Sequence, residues 1–379
     1  MSEVKVVVKK CESYNPAQLY REVSDIFYQL KVELPAEILL KPNLLMPASP
    51  SRAITTHPEL IGAVCKVIKE QKPEARIFIG DSAGLAGLAT TKKAFEVCGI
   101  NNLVKKYGLI AIPFEEQKLV SIRVKKAKIW SQLRIPEIVE RVGLVINLPK
   151  LKTHTLTQYT GAIKNLYGCL SAADKKRGHL TAVKQEQFTE LLLDLYLAVK
   201  PGLNIMDAIV GMEGKGPSSG RPKKTGLIIA SNNALALDEV ALKFIRALPN
   251  PLIENAKSRA ILPDYKLVGK PRKVSFKLPN SYIRFISYLP DAIVKPLSKL
   301  LAPLPIKKPV ICYDKCTNCY TCVKVCPVKA ISIEKKRPVI NYEKCISCLC
   351  CAEHCPYNAI SIKQGLIVSL YNRIKKLVR

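Results

Sequence analysis

Four cysteines and a proline recur at one spacing in two copies, "CTNCYTCVKVCP" from Cys316 to Pro327 and "CISCLCCAEHCP" from Cys345 to Pro356, 29 residues apart. Each copy reads C-x2-C-x2-C-x3-C-P. Three closely spaced thiolates suit three corners of an iron–sulfur cube, and in two-cluster proteins of this spacing the fourth cysteine ligates the other cube. The pattern predicts two [4Fe-4S] clusters. One set is Cys316, Cys319, Cys322 and Cys355; the other is Cys345, Cys348, Cys351 and Cys326. The flanks repeat as well, Ala330-Ile331-Ser332-Ile333 matching Ala359-Ile360-Ser361-Ile362, so a small α+β module with pseudo-two-fold symmetry is expected. Zinc sites prefer two cysteine pairs separated by a longer gap, often with histidine. A disulfide framework belongs to an oxidising compartment, and the opening "MSEVKVVVKK" has no apolar core of the signal-peptide kind. Of the six other cysteines, Cys11, Cys65, Cys98 and Cys169 read as small buried hydrophobes. Cys350 breaks the ligand spacing and is expected to tune a cluster's surroundings, with Cys312 an adventitious ligand at most.

A second set of chemistry-bearing residues follows the apolar runs of the first 275 residues. Val4–Val8, Ile38–Leu40, Arg76–Ile79, Leu109–Ile112, Leu144–Asn147, Leu203–Met206 and Gly226–Ala230 read as buried strands. Pro16–Leu30, Pro58–Glu70, Thr91–Cys98, Glu186–Val199 and Ala234–Leu248 read as helices. Such alternation predicts an α/β fold with a mostly parallel sheet covered by helices, which binds ligands at the carboxyl ends of its strands. The strand exits are "KPNLL" with Lys41 and Asn43, "GDSAGLAG" with Asp81, "NLPKLKTHTLTQYTGAIKNLYG" with Lys150, Lys152, His154, Lys164 and Asn165, and "MDAIVGMEGKGPSSGRP" with Asp207; "TTHPEL" adds His57. Three lysines, a histidine and an asparagine within sixteen residues suit a carboxylate or phosphate, with histidine available for proton transfer. Asp81 could instead cap a helix, His57 could be structural, and the glycine-rich turns could only reverse the chain. Neither a dinucleotide fingerprint nor a P-loop is present.

These motifs resemble a known family, the prokaryotic domain of unknown function three-six-two, often fused to a ferredoxin module. The likeness rests on "KPNLL", "THPELI", "GDSAG", "PKLKTH" with "GAIKN", "RGH" with His179, and "MDAIVGMEGKGPSSG", and covers most of residues 1–250. It implies an architecture and leaves the substrate open. The expected domains are 1–275, α/β; 276–310, a basic amphipathic linker; 311–364, the two-cluster ferredoxin unit; and 365–379, a basic amphipathic tail.

Charge bounds the partners. The chain carries a net charge of +30 over 379 residues, and nine Lys/Arg face one acid, Asp291, between Lys270 and Lys308. No run of eighteen apolar residues occurs, so no membrane-spanning helix is expected. The basic stripes could rest on an anionic membrane, meet an acidic protein, or pack on the chain's own core. Nucleic acid is disfavoured by 6% aromatics and the absence of an RNA-binding motif. Two functions follow. In the first, an iron–sulfur oxidoreductase relays electrons from a redox partner protein to or from an anionic substrate. His154 and His179 move protons, Asp81 and Asp207 orient, and Lys41, Asn43, His57, Lys150, Lys152, Lys164 and Asn165 bind. In the second, a ferredoxin-like carrier or assembly factor docks on an acidic complex or membrane surface. A cytoplasmic location, with peripheral contact at the inner membrane face, is expected for either.

Overall fold

The computed structural model describes residues 3–182, 184–270, 274–279 and 307–364. The expected linker and tail lie largely outside these residues. The chain divides into two units, Met1–Leu278 and Pro279–Arg379.

The first unit is an α/β fold on a ten-stranded sheet. Its described strands are β1 (Lys5–Lys10), β2 (Glu37–Pro42), β3 (Arg76–Asp81), β4 (Ile110–Pro113), a separate ribbon of β5 (Leu119–Arg123) and β6 (Gln132–Pro136), β7 (Leu144–Leu148), β8 (Lys150–His154), β9 (Gln158–Thr160), β10 (Leu203–Glu213), β11 (Arg221–Ser231) and β12 (Lys266–Val268). Sheet order is β12-β1-β11-β10-β7-β2-β3-β4, with β8 and β9 extending it beside β10. The run β10-β7-β2-β3-β4 is parallel, while β11 is antiparallel to both its neighbours. Alternation along the strands divides the core. Val7, Ile38, Leu40, Ile77, Ile79 and Ile146 face the helices Pro16–Gln29 and Pro58–Gln71. Val6, Val8, Leu39, Phe78 and Val145 face the helices Gln185–Val199 and Ala234–Phe244. Both faces are apolar because helices cover both.

One departure from the sequence reading matters for the site. "KLKTH" is a strand rather than a loop. Pro149 has no N–H to give and interrupts the ladder; β7 pairs with β2 and β10, whereas β8 keeps only β10 and turns back on β9. The Pro149 carbonyl still accepts from Asp207 N at 2.9 Å. The lysines of β8 are thereby carried past the carboxyl ends of β2 and β7.

The second unit pairs β13 (Lys307–Ile311) with β16 (Ile360–Gln364) and β14 (Ile331–Glu334) with β15 (Arg337–Ile340). Two short helices, Thr321–Val325 and Cys350–Glu353, stand at equivalent places. A shift of 29 residues superimposes the halves in detail. Cys312 N donates to Ala359 O at 2.7 Å as Asn341 N does to Ala330 O at 2.8 Å, and Tyr313 Oη donates to Pro338 O as Tyr342 Oη does to Pro309 O. Left-handed residues recur in pairs too: Asn318 and Ser347, Tyr320 and Leu349, Lys329 and Asn358.

Candidate functional site

In the second unit two cavities are each bounded by four cysteines. Cys316, Cys319, Cys322 and Cys355 line the first; Cys326, Cys345, Cys348 and Cys351 line the second. The left-handed turns before each short helix are what fold a three-cysteine run around its cavity. Ala330 N donates to Cys326 Sγ and Ala359 N to Cys355 Sγ, both at 3.2 Å, so the crossing cysteine of each half has a backbone donor suited to a thiolate. Among the described residues no three His, Cys, Asp or Glu side chains converge closely enough for a single metal ion. Four thiols around one volume fit a cube, whose ligands each meet a different iron. Cys350 is buried beside the second set, outside both.

In the first unit the carboxyl edge of the sheet holds four buried lysines. Lys41 is 0% exposed, Lys150 and Lys152 1%, and Lys175 3%. Lys41, at the end of β2, gives a hydrogen bond to Asp81 Oδ1 at 2.7 Å, and Asp81 also accepts from the Leu44 and Ser82 amides. Asp81 is therefore no helix cap; the next helix starts at Leu88. Lys150 donates to Asp207 Oδ2 at 2.8 Å and to Tyr14 Oη at 3.0 Å. Asp207 collects further bonds from Tyr14 Oη and the His57 amide. Lys152 donates to Asn43 Oδ1 at 2.8 Å and the Ile54 carbonyl at 2.7 Å. Lys175 donates to Ser82 O, Ser82 Oγ and Gly84 O. Burial pushes the Lys150 ammonium below its ordinary pKa, against the pull of Asp207. Burial likewise lowers Lys175 to about 8.

A ladder of carboxamides links Lys152, through Asn43, to the Lys41 carbonyl. Asn43 Nδ2 donates to Asn165 Oδ1, Asn165 Nδ2 to Asn147 Oδ1, and Asn147 Nδ2 to Asn204 Oδ1, each within 3 Å. Asn165 also donates to the Lys41 carbonyl. Gly168 closes over the Lys41–Asp81 pair; a Cβ there would stand 2.7 Å from Lys41 Nζ and still closer to Asp81 Oδ1.

The half-buried members are Tyr14 and His57. Their rings stack with centroids 3.6 Å apart. His57 caps the helix Pro58–Gln71, its Nδ1 accepting from the Glu59 amide, which leaves the proton of the neutral ring on Nε2. Burial lowers its pKa to about 4, with Lys150 adding to the effect and Asp207 opposing it. Burial, then the Asp207 charge, raises the Tyr14 hydroxyl far above its ordinary value.

Hydrogen bonds thus join Lys41, Asn43, Asp81, Lys152 and Asn165 in one network, and Lys150, Asp207 and the His57 amide, with Tyr14, in a second. Three other sequence-derived residues have different surroundings. His154 is buried on β8, Nδ1 accepting from the Leu156 and Thr157 amides. Lys164 lies over the Tyr167 ring at 5.8 Å. His179 packs against the rings of Tyr167 and Phe188. Tyr14 and Lys175 escaped the sequence reading. Tyr14 follows the first apolar run, so the strand-exit rule could have found it; nothing in "DKKRGH" separates Lys175 from Lys176.

Two family models match the chain. The model of "Domain of unknown function (DUF362)" matches residues 38–243, more than half of the chain, and that of "4Fe-4S dicluster domain" matches residues 315–359. Thylakoid-associated protein sll1697 of Synechocystis sp. is 33% identical over 215 residues, 56% of this chain and 64% of that protein, so the chain spans less than two thirds of its length. Two solved structures are similar more loosely. A structural-genomics protein of Thermotoga maritima has 8% identity and a TM-score of 0.42, over 66% of this chain and 60% of its own. The lactate racemase apoprotein of Thermoanaerobacterium thermosaccharolyticum has 11% identity and a TM-score of 0.40, over 64% and 57%. Likeness at that level carries no argument about function. The chain is an iron–sulfur protein and belongs to the DUF362 family, with a 4Fe-4S ferredoxin-type domain following the family's α/β domain.

Proposed function

We propose that the protein binds two [4Fe-4S] clusters, held by the two crossed cysteine sets, and uses them to exchange electrons with an anionic small molecule held at the lysine edge of the α/β unit. The clusters supply one-electron chemistry that side chains do not. The observation that carries the substrate half is the burial of Lys41, Lys150, Lys152 and Lys175 together. Each buried ammonium costs several kcal/mol in desolvation, and apolar residues of similar volume would often fold as well. Four of them at the strand ends of a parallel sheet make sense if a carboxylate or phosphate is to meet them. Asp81 and Asp207 anchor lysines, and the carboxamide ladder fixes the spacing. Proton transfer falls to Tyr14 and His57, which meet solvent, rather than to His154 on its buried strand or His179 between two rings.

The test is a thermal-shift panel of carboxylates and phosphate esters on the full chain. At saturating concentration one of them should raise Tm by about 2–4 °C, and Lys152→Met and Lys175→Met should abolish the rise. If no anion moves wild type, the substrate half of the proposal fails.

A second reading, a carrier or assembly factor seated on an acidic complex or membrane surface, is supported by the net charge of +30 and by the thylakoid association in the name of the Synechocystis relative. Among the described residues no helix is long and apolar enough to cross a membrane. This reading expects binding to anionic vesicles that the two lysine variants leave unchanged.

A further inference from the structure

The pseudo-two-fold of the second unit allows each half to be measured against the other. The residues lining the two cavities correspond almost one for one under the 29-residue shift, so their differences stand out. Around the first cavity are Thr317, Tyr320 and Tyr357; at the equivalent places around the second are Ile346, Leu349 and Val328. The first wall is polar and aromatic, and the second is aliphatic. Exposure differs ligand by ligand, and Cys355 of the first set is buried where its equivalent Cys326 is half-buried. Cys319 is exposed where its equivalent Cys348 is partly covered, and Tyr357 is 51% exposed. Lys324, on the outer side of the first short helix, is exposed, whereas its equivalent Glu353 is only 7% exposed.

Charge differs at the short helices, Lys324 against Glu353, over cations that both sides share. Lys315 ends the turn that leads into Cys316. Tyr320 Oη donates to the Lys336 carbonyl at 3.0 Å, and the Arg337 guanidinium, 5.5 Å from the Tyr313 ring, is matched on the other side by Lys308, 5.2 Å from the Tyr342 ring. From 307 to 364 there are ten Lys/Arg against four Asp/Glu, so the unit as a whole is cationic.

We infer that the face around Cys319, Tyr320 and Tyr357 is where an acidic redox protein docks, and that external electrons pass at the first cysteine set rather than the second. The inference rests on the two-cluster reading. Electron transfer falls steeply with distance, so a partner must reach an exposed ligand. A basic rim with exposed tyrosines then selects a partner of opposite charge. In the transfer, a partner's reduced flavin would give up one electron and a cluster held by Cys316, Cys319, Cys322 and Cys355 would accept it.

The symmetry supplies a matched control. Lys315 precedes the first ligand of one set and Lys344 the first ligand of the other, and both are exposed. Full-length, cluster-loaded protein would be mixed anaerobically in a stopped-flow instrument with the hydroquinone of an acidic flavodoxin as donor. Bleaching at visible wavelengths would be followed across a salt series. Iron and sulfide contents of the same samples check the two-cluster reading separately, and only fully loaded samples enter the comparison. Lys315→Glu should slow reduction by roughly three- to tenfold at low salt and flatten its salt dependence, with Lys344→Glu close to wild type. An equal or greater loss in Lys344→Glu would overturn the assignment, as would an unchanged salt dependence in both variants.

Discussion

Lys150 and Asp207 are 1% and 0% exposed and 2.8 Å apart, and what happens when one is removed separates an anchored site from an ordinary surface. Taking away a single partner leaves a charge without compensation in a dry setting. Asp207→Leu should therefore cost about 3–5 kcal/mol, read by chemical denaturation, and adding Lys150→Met should recover most of the loss. His57 gives a second residue-scale outcome. Its folded pKa of about 4 lies below the ordinary 6.5, so the unfolded chain binds the extra proton between those values. Stability from this group is present above about pH 6.5 and is lost as pH falls toward 4. His57→Asn keeps a helix cap and should flatten that stretch of the stability profile, followed through the fluorescence of Trp130, the chain's one tryptophan. Much at this scale was legible. Lys41, Lys150, Lys152, Asp81 and Asp207 follow apolar runs at strand exits, where a polar residue needs a reason. Lys175 was not legible, because its helix carries no hydropathy pattern that marks one lysine as buried.

Elements explain why the residues hold still. Gly168 lets the backbone after "GAIKN" close on Lys41 and Asp81, and neither neighbour can retreat from its other bonds. Gly168→Ala should destabilise the fold by about 1–3 kcal/mol and loosen the site, measurable by denaturation and by hydrogen exchange at Leu44 and Ser82. In the second unit the unequal cavity walls give a redox outcome. Reduction adds negative charge, which an aliphatic wall stabilises less than a polar, exposed one. An EPR-monitored titration should resolve two steps, the higher-potential one belonging to the set that includes Cys319, and Ile346→Thr should raise the lower one. Seven strands were readable as apolar runs with shifted ends. β8 and β9 were not, since Lys150, Lys152 and His154 are buried through hydrogen bonds, which hydropathy cannot register.

At the scale of the molecule the sequence announces two units, one by alternating apolar runs and one by cysteine spacing. Those signals survive because each reports a local demand, a covered strand or a ligand corner. The meeting of Tyr14, His57, Lys150 and Asp207 from four separate segments is set by sheet order, and sheet order is a long-range property. The charge of +30 speaks to partners rather than to fold. In the proposed function the units are joined by electron exchange with a bound anion, and one measurement addresses it directly. The protein's clusters would be reduced anaerobically and their visible absorbance followed in single turnover as fractions of small molecules from cells are added, with Lys152→Met in parallel. The account predicts that an anionic fraction reoxidises wild type and leaves the variant reduced. Reoxidation by a protein fraction alone, equal in both, would contradict it and make the chain a carrier.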